Sequence, residues 1–160
     1  MIIGLVVGLL APAGCGGSDT EEGAAAGGAE TVDVREIEGV GSVLVDASGS
    51  VLYTAEQEAD GRIRCVDGCL ALWLPLTAPP DGPPVAGDGV AGALSVVERD
   101  DGTRQVTYDG APVYRFSEDG PGEATGDGLE DSFDGQRFTW RAITIGAAAE
   151  TDAPSGGYGY

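Results

Sequence analysis

Acidic side chains are concentrated in one glycine-rich segment, residues 119–134, and suggest two kinds of chemistry. Carboxylate ligands on a flexible loop suit calcium, and Asp119, Asp127 and Asp131 are the candidate ligands. Their spacing does not match an EF-hand loop, so solvated turn residues are the alternative. Two carboxylates facing each other across a cleft would instead suit glycoside hydrolysis, although no pattern indicates such a cleft. Cation binding and acid-pair hydrolysis therefore remain as alternative hypotheses, with calcium as the one candidate cofactor.

A second candidate for chemistry is the pair Cys65 and Cys69, four positions apart with Gly68 between them to favour a turn. This spacing permits a small disulfide loop in an exported protein. A CxxxC metal or redox pair is the alternative, but the chain has no imidazole and only one other thiol to complete a metal site. We predict a structural disulfide that fixes the bend before residues 70–75.

Several residue types are missing from the 160 positions: histidine and lysine are absent, and methionine occurs only at Met1. The lack of histidine excludes serine–histidine and cysteine–histidine catalysis, ordinary zinc sites and histidine-ligated haem. The lack of lysine excludes serine–lysine chemistry. Because no catalytic constellation is left except an acid pair, we predict that the chain is not an enzyme.

The charge balance limits the partners of the chain. It has 27 acidic residues against 8 basic ones, all arginine, for a formal net charge of −19. Such a chain repels nucleic acid and anionic lipid headgroups because it has no basic patch to replace counterions. We therefore predict no nucleic-acid partner, and a role for the charge in solubility.

The N-terminal residues indicate where the chain is located. Residues 2–13 are apolar or small, too short a run to span a bilayer and the right size for a signal-peptide core. The following Ala-Gly-Cys15 resembles the lipobox of bacterial lipoproteins, whose cysteine is acylated, although Pro12 replaces the usual leucine. An unprocessed secretory signal is the alternative. The resemblance implies a signal peptide and lipobox in residues 1–15, lipidation at Cys15, and an extracytoplasmic protein anchored to the bacterial cell membrane through lipid.

The rest of the chain divides by composition into three parts. Residues 16–34 are mainly glycine, alanine, serine, threonine and acids, which predicts a flexible linker. Residues 35–145 contain most of the aromatic residues and predict one β-rich domain. Residues 146–160 end in a Gly/Tyr-rich stretch and predict a disordered tail.

Within the domain one segment occurs twice: residues 49–54 recur as residues 110–115, at a shift of 61 positions. The same shift aligns Tyr53 with Tyr114 and Glu58 with Asp119. A repeat of this kind indicates one supersecondary unit used twice. We assign the two copies to about residues 39–78 and 94–144.

The elements that must position these residues are mainly strands. Alternating β-type runs are separated by turn sequences, of which Asp109-Gly110 is the strongest hairpin signal. The predicted strands are residues 42–45, 50–54, 94–99, 104–108, 111–116 and 137–143. Residues 79–92 form a Pro/Gly/Asp loop, and only residues 66–73, near the cysteine pair, suit a short helix. The sequence predicts a small antiparallel sheet or sandwich built from two related hairpin repeats.

This set of residues resembles a family of bacterial secreted-repeat lipoproteins of unknown function that carries a Tyr-x-(Phe/Trp/Tyr)-x-x-Asp motif. Tyr114, Phe116 and Asp119 match the motif fully, whereas the first copy keeps only Tyr53, with alanine and glutamate at the other two positions. The family's cysteine pair before a tryptophan and proline is also matched, by Cys65, Cys69, Trp73 and Pro75. The resemblance covers about residues 39–144 and implies an envelope lipoprotein whose activity is not established.

The motif has two interpretations. In a strand, Tyr114 and Phe116 point to the same face, where they would cover the sheet while Asp119 caps the following turn. Alternatively, together with Tyr53, they form an exposed ligand surface with an acid beside it, suited to a sugar, a peptide or a small cation. We predict a lipid-anchored binding or interaction module at the outer face of the membrane, with a protein or cell-wall partner. The sequence does not specify its oligomeric state.

Overall fold

The computed structural model describes residues 31–146. Within that range the chain forms eleven short strands and two 3-10 helices. The strands are β1 (Thr31–Ile37), β2 (Gly41–Val45), β3 (Leu52–Ala55), β4 (Trp73–Pro75), β5 (Val85–Ala86), β6 (Leu94–Glu98), β7 (Arg104–Tyr108), β8 (Ala111–Pro112), β9 (Tyr114–Phe116), β10 (Glu130–Phe133) and β11 (Gln136–Ala142). The 3-10 helices are Glu56–Glu58 and Asp67–Ala71.

The strands form three small sheets rather than the single sheet or sandwich expected from the sequence. The largest has five strands in the order β10-β11-β3-β9-β4, all antiparallel. The other two have three strands each, in the orders β6-β7-β8 and β2-β1-β5. The β1–β5 pair is parallel, and every other pair is antiparallel. The mainly β class predicted from the sequence is confirmed.

The two copies of the repeated segment lie side by side in the largest sheet. Strand β3 carries Tyr53 and β9 carries Tyr114, and the register of the antiparallel pair places these two tyrosines directly opposite each other. The run predicted over residues 111–116 is divided at Val113. Before that residue β8 pairs with β7, and after it β9 pairs with β3 and β4. The division lets one extended segment join two sheets.

A tight turn connects β7 to β8. Asp109 and Gly110 have φ values of 48° and 88°, which is the left-handed conformation that a two-residue hairpin turn requires. In the first copy the corresponding turn is longer. Asp46 N–H donates to the Ser50 carbonyl, and the Asp46 carboxylate accepts the Ser50 N–H as well. The two copies therefore share their tyrosine strands but not the length of their turns.

The structure differs from the prediction in several elements, and strands β1, β4, β5 and β10 were not predicted. Strand β1 begins at Thr31, inside the predicted linker, because Val32 is fully buried against the aliphatic core. The predicted loop over residues 79–92 contains β5, which pairs with the start of β1. The segment near the cysteines is a five-residue 3-10 helix, Asp67–Ala71. The predicted signal and lipobox with Cys15, the linker up to residue 30, and the tail from residue 147 lie outside the described residues.

Around its central strands, β3 and β9, the five-stranded sheet has buried residues on both faces. Tyr53 and Tyr114 point into an aromatic cluster, whereas their neighbours Leu52 and Val113 point the other way into an aliphatic one. The aliphatic cluster comprises Val32, Leu44, Leu52, Leu76, Val106, Val113 and Ile143. No helix among residues 31–146 is long and apolar enough to cross a membrane.

Candidate functional site

The aromatic residues of the motif lie in the core. Tyr53 and Tyr114 are fully buried, and Phe116 is 7% exposed. Alternation along β9 sends Tyr114 and Phe116 to the same, inner face. This burial agrees with the interpretation of the motif as a cover for the sheet. It disagrees with an exposed aromatic ligand surface at these residues.

Four aromatic rings form a continuous stack inside the domain. Trp73 lies at its centre, with ring centroids 3.8 Å from Trp140 and 4.5 Å from Phe116. Phe138 extends the stack beyond Trp140, at 5.5 Å. The two motif tyrosines contact it edge-on, at 5.4 Å for Tyr53 with Trp73 and 5.2 Å for Tyr114 with Trp140. Stacked and edge-to-face contacts between aromatic rings add to the stability that burial of their area gives a core.

Asp119, the acid of the second copy, binds the tyrosine of the first. The Tyr53 hydroxyl donates to Asp119 Oδ2. The other oxygen, Oδ1, accepts the Thr125 N–H at 3.0 Å and the Thr125 hydroxyl at 2.5 Å. Burial, and then the hydrogen bond to the Asp119 carboxylate, raise the pKa of Tyr53 well above its usual value. Asp119 therefore joins the two copies and holds the loop that follows it.

Glu58, which the shift of 61 aligns with Asp119, has the matching role in the first copy. It is fully buried, and its Oε1 accepts the N–H groups of Arg64 at 2.5 Å and Cys65 at 2.7 Å. Arg64 aligns with Thr125 at the same shift. The pKa of the Tyr114 hydroxyl, in the second copy, is raised above its usual value. Burial is the larger cause, and the nearby charge of Glu58 is the next. Glu58 thus holds the loop of its own copy as Asp119 does, but the Tyr114 hydroxyl and Glu58 Oε2 have no hydrogen-bond partner among residues 31–146.

Arg99 connects this acid–tyrosine pair to a third segment. It is 6% exposed, and its guanidinium donates from Nη1 to Gln105 Oε1 and from Nη2 to the Cys65 carbonyl, both at 2.6 Å. Gln105 Nε2 in turn donates to the Val113 carbonyl at 2.9 Å. The Arg99 side chain opposes the effect of Glu58 on the Tyr114 pKa. The sequence analysis missed Arg99, since a lone arginine at the end of a predicted strand is normally exposed.

A surface cleft of about 740 Å³ lies over this network. One wall comes from the segment around the disulfide and the other from the end of β6 and its turn, and the Arg99–Cys65 hydrogen bond joins the two walls. The lining residues are Gly61, Arg62, Ile63, Val66, Asp67, Leu70, Val97, Glu98, Arg99, Asp100 and Asp101. The volume is in the range of small-ligand sites, but the lining carries more charged side chains than the mainly apolar walls of most such sites.

The candidate calcium ligands are not brought together. Asp119 holds Tyr53 and Thr125, Asp127 Oδ1 accepts the Ala142 N–H at 3.0 Å, and Asp131 Oδ2 accepts the Trp73 indole N–H at 2.8 Å. Residues 31–146 contain no group of three side chains arranged to hold a metal ion. Each of these acids instead serves a separate structural hydrogen bond.

The predicted disulfide between Cys65 and Cys69 is present, with the Cα atoms 5.3 Å apart and both residues fully buried. We expect the double variant Cys65→Ser/Cys69→Ser to lower the free energy of unfolding by about 2 kcal/mol, because a short closed loop restricts the unfolded chain only modestly. Urea unfolding of the variant, with reduced wild type as the control, measures this. Equal stability of the oxidised and reduced forms would contradict it.

Comparison with known proteins supports the family resemblance. Residues 95–138 match the model of a family described as a secreted repeat of unknown function. The matched segment runs from β6 into β11 and includes the wall of the cleft formed by residues 97–101. Searches of the curated proteins and of the solved structures return no match. The resemblance inferred from the sequence is confirmed over these residues.

Proposed function

We propose that this chain is an extracytoplasmic binding module, anchored to the membrane by lipid at Cys15, whose ligand occupies the cleft between the disulfide segment and the β6–β7 turn. The observation that carries the proposal is the cleft itself, a mixed apolar and charged concavity on a surface braced from beneath by a buried hydrogen-bond network. A rigid base reduces the entropy cost of ordering the site when the ligand binds.

The proposal gives the motif a supporting role. Tyr114, Phe116 and Asp119 are used in the core and in the contact between the two copies. We infer that the two copies are related units of one repeat, since their tyrosines pair across β3 and β9 and their acids accept equivalent backbone N–H groups, those of Arg64 and Thr125. The repeat would then act as the framework, and ligand recognition would belong to the loops that the framework positions.

The proposed location rests on two features of the chain. Ala-Gly-Cys15 resembles a lipobox, and the family matched by residues 95–138 is described as secreted. Labelling cells with a palmitate analogue, followed by mass spectrometry of the N-terminal peptide, tests the anchor. We expect the label on Cys15 and its loss in Cys15→Ser; an unlabelled wild-type peptide would refute lipid anchoring and leave the cleft proposal intact.

Binding at the cleft is tested by filling it. Val66 lies on its wall and is 45% exposed, so Val66→Trp should occupy the site without disturbing the core. We expect ligands found in a thermal-shift screen of cell-wall fragments, peptides and metal ions to stabilise the wild type and to lose that effect in Val66→Trp. Stabilisation at a ligand concentration of 100 times Kd corresponds to about 2.7 kcal/mol.

Val85→Trp is the matched control, because Val85 is 47% exposed and lies in β5, outside the residues that line the cleft. This variant should respond to the same ligands as the wild type does. A ligand that stabilises Val66→Trp and the wild type equally binds elsewhere, and a screen in which every ligand behaves this way would refute the proposal.

A further inference from the structure

We propose that the ligand of the cleft is a basic, amphipathic stretch of polypeptide, bound in extended form along the free edge of β6. This inference rests on the proposed function and names the class of its ligand. Three independent properties of the cleft support it: its charge, its apolar lining and the unpaired backbone at its edge.

The charge of the accessible lining is negative. Asp67, Glu98, Asp100 and Asp101 are exposed carboxylates, whereas the Arg99 guanidinium is directed inward to Gln105 and Cys65. The Asp101 carboxylate accepts the Thr103 N–H at 2.8 Å, and this bond holds the pKa of Asp101 below its usual value. The four acidic side chains outnumber the one accessible basic side chain of the lining, Arg62, so the site favours a ligand of positive charge.

Most of these carboxylates have no ion-pair partner in the part of the chain that the structure describes. Among residues 31–146, no ion pair involves Asp67, Glu98 or Asp100, whereas Asp60 next to the cleft is paired with Arg64 at 2.7 Å. An arginine or lysine side chain of a ligand would therefore meet acids that are free to pair. The net charge of −19 adds long-range attraction for a polycation.

The cleft also offers apolar surface. Ile63, Leu70 and Val97 are partly exposed in the lining, and Val66 is 45% exposed, among the most exposed large hydrophobic side chains of residues 31–146. A purely polar cation would leave this surface in water. A ligand that alternates apolar and basic side chains would cover it while pairing with the acids at the rim.

The backbone of β6 indicates that the ligand is a polypeptide. Within residues 31–146, strand β6 is at the edge of its sheet and pairs only with β7. The Arg99 N–H donates to the Thr103 carbonyl, and in an antiparallel pair the residues that bond to the partner strand alternate along the chain. The N–H and C=O groups of Val97 therefore point toward β7. Those of Val96 and Glu98 point away from it. Glu98 therefore lies both on the free edge and in the cleft lining, where an added strand would place its side chains.

The test uses the full-length chain with Cys15→Ser, and a short capped peptide of alternating leucine and arginine as the probe. We expect saturable binding by calorimetry that weakens with added salt. Replacing every arginine of the peptide by glutamine or glutamate should weaken binding at least tenfold. N-methylation of alternate peptide nitrogens, which removes the donors that pair with β6, should do the same.

Variants of the protein locate the site. Glu98→Gln/Asp100→Asn should weaken binding of the arginine peptide about fivefold to tenfold, a loss of about 1–1.4 kcal/mol that lies within the range for two exposed ion pairs. The matched control Asp81→Asn/Glu118→Gln removes the same two charge types from exposed positions outside the cleft and should change binding less than twofold.

The outcomes separate the two proposals. The glutamine or glutamate peptide could bind as tightly as the arginine peptide and lose that binding in Val66→Trp. That result would show the inference about charge to be wrong and would leave the cleft as a binding site. Equal weakening by the test and control variants would mean diffuse attraction to a polyanion and would overturn the inference. Absence of binding by the arginine peptide would also overturn the inference that the ligand is a basic polypeptide. The proposal that the cleft binds a ligand would still be tested by the thermal-shift screen.

Discussion

Trp73→Ala is expected to lower the free energy of unfolding by about 3–5 kcal/mol, as large aromatic truncations in a core do. Trp73 is fully buried, stacks on Trp140 and Phe116, and donates its indole N–H to Asp131. Its removal opens a cavity in the middle of the stack and leaves the Asp131 carboxylate without that donor. Urea unfolding followed by tryptophan fluorescence and near-UV circular dichroism measures both effects.

The neighbouring residue provides the control. Leu74 is next to Trp73 on β4 but is 39% exposed, because alternation along the strand turns it outward. Leu74→Ala should cost about 0.5 kcal/mol or less, as surface substitutions do. If the two variants lost equal stability, the aromatic stack would not be the main source of stability in this sheet.

Above about pH 10, the stability of the domain should fall steeply, by about 1.4 kcal/mol per pH unit for each of Tyr53 and Tyr114. Both hydroxyls have a pKa raised by burial and by a neighbouring carboxylate. Near pH 10 a tyrosine loses its proton in the unfolded chain, whereas these two tyrosines keep theirs in the folded chain. Above that pH the unfolded state therefore binds fewer protons than the folded state, and a further rise in pH favours unfolding. The contribution is fully present below the unfolded pKa and is lost as pH rises toward the folded pKa.

The composition of the chain makes this measurement direct. There is no histidine or lysine to titrate in the neutral to alkaline range. Urea unfolding should therefore give a flat pH profile from neutral pH to about 10, followed by the decline. Tyr53→Phe/Tyr114→Phe should remove the decline while lowering stability at neutral pH by the loss of the Tyr53–Asp119 hydrogen bond, about 1–3 kcal/mol. A decline that persists in the double phenylalanine variant would exclude these tyrosines as its cause.

Local patterns in the sequence predict much of the fold. Alternation of apolar residues gives β2, β6 and β7, and Asp109-Gly110 gives the hairpin turn, because positive φ is tolerated by few residue types. The spacing of the two cysteines gives the disulfide. Strand β5 is missed because its two residues lie in a Pro/Gly-rich stretch and depend on pairing with β1. Its partner is more than fifty positions away in sequence, beyond the reach of a local pattern.

The candidate site is predicted far less well. The motif residues Tyr53, Tyr114, Phe116 and Asp119 draw attention in the sequence, yet they are used in the core. The cleft is built by residues with no common pattern, on segments about thirty positions apart. One signal was available in advance: the shift of 61 pairs Glu58 with Asp119, and an acid kept at equivalent positions of a repeat suggests equivalent hydrogen bonds.

By itself, the sequence determined the β class, the repeated tyrosine strands and the disulfide. Each of these depends on residues close together in the chain, because strand periodicity, turn conformation and a disulfide loop of four positions are all local properties. Only the tertiary structure decided which side chains are buried and which walls form the cleft. The Arg99–Cys65 and Tyr53–Asp119 hydrogen bonds span 34 and 66 positions. Contacts at such separations form only when the sheets pack, because burial removes water as the competing partner for these polar groups.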